Sequence, residues 1–344
     1  MMRAARIYKH GGPDVFRVEE DVPEPDFGPS DLLIRQTHTS ANHRDVWIRK
    51  GLSDDTFQIA LPAILGVDFS GEVVAVGKNV TQFVVGDRVI ANPQHPCGRC
   101  QACRGQRPQF CMNVDISNGS YAQYAKVAES QAMLIDKSVS PESAACFANT
   151  YVTAWEMLIN RARLTPEDTV FIWAGTSGVG SAAVDIAKLV NAKIITTAGS
   201  AHKLEILRSR TAGRVLDHHN DDVVAEVMEA TKGVGASVVI EHTGAATWER
   251  SMALASAGGR IVNAGLTTGQ TLKTDAVVMI IKQLSIMGYS LGTMAGAQAA
   301  VSFLNNGSLS PLIGETVPLS RIGEAHEMLE SGGVAGKILI NLDE

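Results

Sequence analysis

The sequence predicts an α/β protein with a β-rich first half and a doubly wound parallel sheet in its second half. Before about residue 150, short strand-like segments are separated by turns, and after it apolar strands alternate with amphipathic helices. A glycine-rich turn follows the first of these later strands. With 344 residues, 45% of them apolar, the chain is long enough to form two domains with separate cores.

The first half, residues 1–150, reads as a compact β domain with a few short helices. The segments IRQTHTSA, GEVVAVG and DRVIANP are rich in strand-forming residues, and they are bounded by Gly-Pro, Gly-Lys-Asn and Gly-Asp turns. We assign to this domain a cysteine-containing lobe at about residues 95–112.

The second half, residues 151–290, alternates strands with helices. The segment TVFIWAG is continuously apolar, as expected of a strand buried on both faces. The helix after it carries an apolar stripe at i, i+4, i+7, i+8 and i+11, formed by Val179, Ala183, Ile186, Ala187 and Val190. Further strands are predicted at KIITTAG, RVLDH, SVVIEHTG, GRIVNAG and QLSIMGYS, with helices near 202–211, 221–231 and 246–255. This alternation predicts a parallel sheet.

Residues 291–344 complete the first domain in our interpretation. They contain predicted helices near 294–305 and 320–331 and a closing strand at KILINL.

The composition excludes several classes of function. A net charge of −6 gives no electrostatic reason to bind nucleic acid or an anionic membrane. The N-terminal residues MMRAARIYKHGGPD lack the apolar region of a secretory signal, and the apolar runs are too short to span a bilayer. We therefore expect a cytoplasmic protein that acts on a small molecule.

Four of the five cysteines lie within fifteen residues, in the spacing C-x2-C-x2-C-x7-C. Four thiolates this close together can enclose one tetrahedral, structural Zn²⁺ that has no open position for water. A four-iron cluster is the alternative metal, but such runs space the last cysteine by three and follow it with proline. An unligated group of reduced thiols is the remaining alternative. The predicted ligands are Cys97, Cys100, Cys103 and Cys111.

The turn after the first strand of the second half has the pattern of a dinucleotide-binding site. Three glycines lie in the G-x-x-G-x-G sequence between a buried strand and an amphipathic helix, where side chains would keep a pyrophosphate from the helix N-terminus. An ordinary tight turn is the alternative interpretation. The predicted contacts to the cofactor are Gly175, Thr176, Ser177, Gly178, Val179 and Gly180.

The end of the second strand of this half favours NADP(H) over NAD(H). An NAD enzyme usually has Asp or Glu there to bind the ribose 2′-hydroxyl, whereas this chain has no carboxylate before Glu205. Ser200 and Lys203 are candidates to bind a 2′-phosphate, and His218 is expected near the same group. Lys203 as an ordinary solvated helix residue is the competing interpretation.

Taken in order, these motifs resemble the medium-chain dehydrogenase/reductase superfamily over essentially the whole chain. The resemblance rests on KHGGPDVFRVEE, PAILGVDFSGEVVAVGKNV, GDRV, the cysteine lobe, GSYAQYAKV, AGTSGVGSAAVDIAKL and GGVAGKILINL. It implies a GroES-like β-rich catalytic domain and a Rossmann domain.

The resemblance also implies that a catalytic metal is missing. Zinc alcohol dehydrogenases of the superfamily hold a second Zn²⁺ with side chains at positions where this chain has Asn42, Val67 and Asn149. Valine cannot ligate a metal, and amide oxygens are poor ligands for catalytic Zn²⁺. The chain therefore resembles the quinone oxidoreductase and enoyl reductase branch, with the structural zinc lobe retained.

Other site residues follow from the same resemblance. Asn42 is implied to bind the nicotinamide ribose or a substrate oxygen, and His43 and Arg44 to supply a proton or to stabilise oxyanion charge. Further cofactor contacts are implied for the backbone of Gly265 and Leu266, at the nicotinamide carboxamide, and for Lys337, at the phosphates.

These observations predict an NADPH-dependent oxidoreductase that transfers hydride to an activated C=C bond or a quinone without a catalytic metal. The alternatives are a metal-free ketone or aldehyde reductase and a non-enzymatic NADPH-binding protein. Relatives pair the strand near SIMGYS across a two-fold axis, so we also expect a homodimer or homotetramer.

Overall fold

Short strands dominate the chain before residue 150 and strands alternate with helices after it, in a computed structural model that describes residues 1–52, 59–290 and 292–344. The chain divides into a first unit of residues 1–149, 292–307 and 313–344 and a second unit of residues 150–291 and 308–312. Within the described ranges, no helix has the length and apolar character needed to cross a membrane.

The described strands are numbered in chain order. They are β1 (Met2–Ile7), β2 (Phe16–Val22), β3 (Asp31–Arg35), β4 (His38–Ser40), β5 (Ala63–Ile64), β6 (Phe69–Val76), β7 (Arg88–Ala91), β8 (Gln94–His95), β9 (Asp115–Ile116), β10 (Tyr124–Ala128), β11 (Ala132–Leu134), β12 (Thr169–Ile172), β13 (Lys193–Ala198), β14 (Arg214–Asp217), β15 (Ala236–Glu241), β16 (Ala255–Asn263), β17 (Ser285–Gly288), β18 (Ile313–Pro318) and β19 (Lys337–Asn341).

The described helices are numbered in the same way. They are α1 (His43–Lys50), α2 (Gln101–Arg104), α3 (Pro141–Ala145), α4 (Ala148–Trp155), α5 (Gly178–Val190), α6 (Ala201–Arg210), α7 (Val223–Ala230), α8 (Ala245–Leu254), α9 (Ala276–Ile281), α10 (Met294–Asn305) and α11 (Ile322–Ser331).

The first unit is built on a five-stranded antiparallel sheet with the order β10-β3-β6-β7-β11. A smaller sheet, with the order β18-β19-β4, joins the two ends of the chain within this unit. In it, β19 runs antiparallel to β4, with Leu339 opposite Ser40. This pairing places the first residue of β19, Lys337, beside the segment that leads into α1, where Ala41 N–H donates to the Ile338 carbonyl.

The second unit contains a six-stranded parallel sheet with the order β14-β13-β12-β15-β16-β17. This sheet and the β-rich first unit confirm the predicted α/β fold class. Two successive strands, β13 and β14, lie on one side of β12, and β15, β16 and β17 lie on the other. The carboxyl ends of β12 and β15 therefore flank the point at which the strand order reverses, where open α/β sheets bind ligands.

The helix after β12 is more buried than its apolar stripe predicts. Val179 and Val190 are only half-buried, whereas the polar side chains of Ser181 and Asp185 are buried. Asp185 accepts hydrogen bonds from the Tyr151 hydroxyl, at 2.7 Å, and from Arg210, at 2.6 Å. These contacts satisfy the carboxylate, so a polar residue is accommodated on a face that packs against the protein.

An apolar surface lies beside the edge strand β17. Val277, Ile280 and Ile281 of α9 are each more than 60% exposed. An exposed strand edge beside exposed apolar side chains is a feature that proteins commonly cover by association. The homodimer or homotetramer expected from the sequence stays a prediction.

Candidate functional site

In the first unit, Asn42 lies at the entry to α1 and is almost completely buried, with 6% exposure. Its backbone is extended, as is usual for an N-cap residue, and its N–H donates to the Asp45 carboxylate at 3.1 Å. Asn42 is the N-cap and Asp45 is the third residue of the helix, so this carboxylate satisfies the backbone N–H of the N-cap residue. The Asn42 side chain is therefore held at a defined position.

Asp68 is the centre of a hydrogen-bonded network around Asn42. Its Oδ2 accepts from the Ser40 hydroxyl and, at 2.8 Å, from Asn42 Nδ2. Its Oδ1 accepts from the backbone N–H of Asn149 at 3.0 Å. The carboxylate is only 1% exposed, so these donors replace the water that an ionised group would otherwise require.

Lys337 supplies the positive charge of this network. Its Nζ is 3.2 Å from Asp68 Oδ2, and it donates to Asn42 Oδ1 at 2.6 Å and to the Ala41 carbonyl at 2.9 Å. An ammonium has three donors, and all three have acceptors here. The phosphate contact predicted for Lys337 would require the amino group to leave them, and it stays a prediction.

His43 and Arg44, the other predicted catalytic residues, occupy the first turn of α1 and are half-buried. Arg44 Nη1 donates to Asn118 Oδ1 at 2.7 Å. Burial lowers the pKa of the Arg44 guanidinium, and the carboxylates of Asp45 and Asp115 partly offset this effect. Arg44 is thus held toward the segment after β9, while the catalytic roles of both residues stay predictions.

A buried chain of polar side chains lies behind α1. The Tyr121 hydroxyl donates to Asp45 Oδ2 at 2.8 Å and is 3.1 Å from His326 Nε2. Burial raises the pKa of Asp45 to about 6, against the opposing effects of Arg44 and the Tyr121 hydrogen bond. Burial likewise lowers the pKa of His326 to about 3, so this imidazole is neutral at physiological pH.

The four clustered cysteines come together as the spacing predicts. Their sulfur atoms all lie within 4.8 Å of one another, and none forms a disulfide. Cys100 Sγ is 3.5 Å from Cys103 Sγ and 3.9 Å from Cys111 Sγ. A tetrahedron with Zn–S bonds of about 2.3 Å requires sulfur separations of about 3.8 Å. The donor set and its dimensions therefore fit one tetrahedral zinc ion.

In the second unit, the glycine-rich turn connects β12 to α5. Ser177 caps the helix, because its hydroxyl accepts the Gly180 N–H at 3.0 Å. Within the described ranges, the N–H groups of Gly178 and Val179 have no protein acceptor. Free N–H groups at the start of a 13-residue helix are able to bind an anion such as a pyrophosphate, and the predicted cofactor contacts of this turn stay a prediction.

Two of the turn glycines are required by the protein's own packing. A Cβ on Gly175 would lie 2.1 Å from Thr196 Oγ1, and one on Gly180 would lie 2.2 Å from the Ala174 carbonyl oxygen. The sequence pattern alone explains these glycines by the approach of a cofactor. The structure adds a second reason, the close contact of the turn with β13 and with itself, and Thr176 is buried beside it.

Basic side chains gather at the carboxyl ends of β13 and β14. Ser200 caps α6 by accepting from the Lys203 N–H, and His218 Nδ1 is 3.2 Å from Thr197 Oγ1. His219 packs edge-on against His218, with ring centroids 4.6 Å apart. Burial lowers the pKa of His218, and the positive charges of His219, Arg250 and Lys203 act in the same direction. We name Lys203, His218, His219 and Arg250 the basic cluster.

The predicted nicotinamide contacts lie in a tightly packed loop after β16. A Cβ on Gly265 would lie 1.9 Å from the His242 carbonyl oxygen, so only glycine fits. Leu266 accepts the Gly269 N–H in the same loop. The neighbouring loop after β15 is held by Glu241, which is fully buried and accepts from the N–H groups of Thr243 and Gly244.

Sequence reasoning missed the partners that surround these residues. The pairing of Asp68 with Lys337 was not anticipated. A signal was present, since each is a lone charge inside an apolar segment, GVDFSG and GKILINL. Buried opposite charges in such segments are candidates for a pair. No comparable signal identified His219 and Arg250 as members of the basic cluster.

The chain is similar to known dehydrogenases in both its sequence and its structure. Residues 28–137 match the family described as the alcohol dehydrogenase GroES-like domain, and residues 178–306 match the family described as zinc-binding dehydrogenase. A crystal structure of an NAD-dependent alcohol dehydrogenase is 35% identical, with a TM-score of 0.93 over 99% of each chain.

Curated relatives are more distant and carry different activities. Human quinone oxidoreductase is 26% identical over 349 residues, covering 99% of this chain and 98% of the relative. Acryloyl-coenzyme A reductase from Metallosphaera sedula is 27% identical over 325 residues, covering 93% of this chain and 95% of the relative. Whole-chain similarity thus extends to oxidoreductases of several substrate classes.

The cysteine cluster predicts one zinc ion per chain. We expect Cys103→Ser to abolish zinc retention and to lower the melting temperature, because three sulfurs leave one position open to water. The control is Cys146→Ala, which changes the fifth, buried cysteine outside the cluster. Metal analysis of the purified proteins is the measurement. Equal zinc content in wild type and C103S would contradict the assignment.

The buried Asp45 predicts a specific pH dependence of stability. Its folded-state pKa of about 6 exceeds the usual value of 3.8, so the folded state binds a proton more tightly than the unfolded state. The protonated Asp45 therefore contributes to the unfolding free energy in full below pH 3.8. This contribution is lost as the pH rises through 6. The loss amounts to about 3 kcal/mol of unfolding free energy. Asp45→Asn should therefore flatten the decline between pH 4 and pH 7, measured by urea denaturation. An equal decline of the unfolding free energy between pH 4 and pH 7 in wild type and D45N would refute this account.

Proposed function

Because the chain belongs to the medium-chain dehydrogenase/reductase superfamily and is an oxidoreductase, we propose that it is an NADPH-dependent reductase of activated C=C bonds or quinones, with no catalytic metal. The relatives described above are oxidoreductases, and they favour an enzyme over the non-enzymatic alternative that the sequence left open. We also propose one structural Zn²⁺ per chain, held by the cysteine cluster, and a cytoplasmic protein with a small-molecule substrate.

The observation that carries this proposal is the network of Asn42, Asp68, Asn149 and Lys337. Two of the three positions that the resemblance assigns to catalytic metal ligands hold amides, and the third holds Val67, which is fully buried. The Asn42 and Asn149 amides hydrogen-bond to each other at 2.8 Å, and the cation beside them is an ammonium. These residues fill the space with their own contacts and offer poor donors to a metal.

The chemistry of such a site favours acceptors that are already electrophilic. Bound NADPH supplies a hydride from nicotinamide C4. A simple carbonyl needs a Lewis acid or a strong hydrogen-bond donor to polarise it before it accepts hydride. An enone, an enoyl thioester or a quinone is already electrophilic, so conjugate addition of hydride needs less stabilisation from the protein. The negative charge then develops on an oxygen remote from the attacked carbon, where hydrogen-bond donors suffice. The acryloyl-coenzyme A reductase and quinone oxidoreductase relatives act in this chemical class.

The basic cluster supports NADPH as the reductant. Lys203 and Arg250 carry positive charge near the ribose end expected for a cofactor on the β12–α5 turn, whereas the lowered pKa of His218 favours its neutral form, which can still donate a hydrogen bond. A 2′-phosphate would find complementary charge there, whereas the segment that follows β13 offers no carboxylate before Glu205 to bind a free 2′-hydroxyl.

A second candidate is carbonyl reduction or its reverse, alcohol oxidation. The observation in its favour is the 35% identity to the NAD-dependent alcohol dehydrogenase structure, higher than the identity to the curated relatives described above. In that case His43 or Arg44 would have to polarise the carbonyl directly.

Product identification separates these candidates. We expect NADPH and an enone with a reducible alkene and a reducible carbonyl to give the saturated ketone, detected by mass spectrometry and NMR. Allylic alcohol as the main product would replace the proposal by the second candidate. Absence of both products, together with no oxidation of NADPH by a quinone, would contradict the proposed substrate class.

Coenzyme preference is tested at the basic cluster. We expect NADPH to bind at least tenfold more tightly than NADH, and Lys203→Glu to remove most of this preference, because a carboxylate would repel the 2′-phosphate. The control is Arg208→Glu, the same charge reversal at an exposed position of α6. Dissociation constants from fluorescence titration are the measurement. Tighter binding of NADH by wild type would show that the preference is reversed.

A further inference from the structure

Lys337 is enclosed in a way that distinguishes it from an ordinary structural ion pair. Its side chain is 5% exposed, and its three acceptors are a carbonyl, an amide oxygen and a carboxylate on three different residues. Two of these acceptors, Ala41 and Asn42, are consecutive in the chain. The ammonium therefore links the residues that lead into α1 to the carboxylate of Asp68.

The orientation of the Asn42 amide is fixed by this arrangement. Its Oδ1 accepts from Lys337 Nζ at 2.6 Å and from Asn149 Nδ2 at 2.8 Å. Its Nδ2 donates to Asp68 Oδ2 at 2.8 Å and to the Ser40 carbonyl at 3.3 Å. A flipped amide would place its NH₂ group against an ammonium and another NH₂ group, and its oxygen against two acceptors. All of these contacts are unfavourable.

The orientation of Asn149 follows from that of Asn42. Asn149 Nδ2 must point at Asn42 Oδ1, which turns the Asn149 carbonyl oxygen away from Asn42. Its backbone N–H is held separately by Asp68 Oδ1 at 3.0 Å. Asn149 is half-buried, whereas Ser40, Asn42, Asp68 and Lys337 are all buried. Of these five side chains, Asn149 is therefore the one with appreciable exposed surface.

We propose that Lys337 is a positioning residue for hydride transfer, whose ammonium orients the Asn42 amide and, through it, the Asn149 amide that faces the reactants. This inference rests on the proposed location of the active site at Asn42. It assigns Asn42 a supporting role, because both its N–H groups and its oxygen are already engaged within the network. Asn149, which the resemblance marks only as a replaced metal-ligand position, becomes the contact group.

Charge removal alone would not test this proposal. Lys337→Met leaves the Asp68 carboxylate buried without its cation, which destabilises the protein whatever the role of Lys337. The informative variant is Asp68→Asn combined with Lys337→Met, which has no unpaired buried charge. In either orientation the new amide at position 68 puts its NH₂ group against a donor, Asn42 Nδ2 or the Asn149 N–H, so the contacts that fix the Asn42 and Asn149 amides are lost.

For this double variant we expect the melting temperature to recover most of the loss seen in K337M. We expect the single-turnover rate of hydride transfer and kcat to stay about 10- to 100-fold below wild type, with little change in the dissociation constant of NADPH. Recovery of both stability and kcat to wild-type values would overturn the proposal, because the network would then be structural only.

A second variant keeps the test decisive if the double variant fails to fold. Asn149→Ala removes the half-buried amide without touching the ion pair, and we expect a similar loss of kcat. Wild-type kcat in N149A would overturn the proposal by itself. If both variants fold, adding N149A to the double variant should cause little further loss, because both changes act on one group.

Lys282 provides a matched control. Its Nζ also donates to three oxygen atoms, the carbonyls of Met252, Ala253 and Ala255, at the end of α8 in the second unit. Lys282→Met should lower stability and leave kcat unchanged. All rates are measured with the acceptor that wild type reduces fastest. The class of that acceptor and the identity of its product then test the proposed function. The ratio of kcat in the variant to kcat in wild type tests the role of Lys337.

Discussion

The pairing of β19 with β4 is the constraint on which the candidate site of the first unit depends. It brings Lys337 to Asn42, 295 residues away in the chain, and supplies the only positive charge that contacts the buried Asp68 carboxylate in the described part of the chain. Without that cation, Asp68 would be an uncompensated charge at 1% exposure. The orientation of the Asn42 and Asn149 amides, and with it the polarity of the site, follows from this one strand pair.

The candidate sites of the two units are built from different groups, side chains in the first unit and backbone in the second. The first unit holds charged and amide groups in fixed positions by long-range hydrogen bonds, and closes its cysteine lobe with four sulfurs whose spacing suits zinc. The second unit uses backbone geometry, with free N–H groups at the start of α5 and glycines whose neighbours leave no room for a Cβ. Rigid packing around a polar site keeps donors aimed without reorganisation when a ligand binds.

Similarity to both alcohol dehydrogenases and reductases shows why the family alone does not decide the substrate. One fold carries several chemistries, and the difference lies in a few side chains. In this chain the positions that the resemblance assigns to catalytic metal ligands hold Asn42 and Asn149, whose amides hydrogen-bond to each other, and Val67, which is buried. Those contacts and the Lys337 ammonium are the reason to propose a site without a catalytic metal, whereas the relatives support only an oxidoreductase of this superfamily.

The sequence by itself determined the features that depend on local pattern. Alternating strands and helices predicted the parallel sheet, which the structure confirms, and the cysteine spacing predicted a cluster whose sulfurs do converge. Apolar periodicity and short spacings report on neighbours in the chain, so they can be read without coordinates. They do not report which distant segments meet.

Only the tertiary structure decided the partners. It paired Lys337 with Asp68, placed His219 beside His218, and showed that Gly175 is required by Thr196 of the next strand as well as by any cofactor. Each of these contacts joins residues on different strands or loops, and its energy depends on burial and distance. Neither quantity is encoded in the order of residues along one segment, so the roles of Asn42 and Asn149 could be argued only once their hydrogen bonds were known.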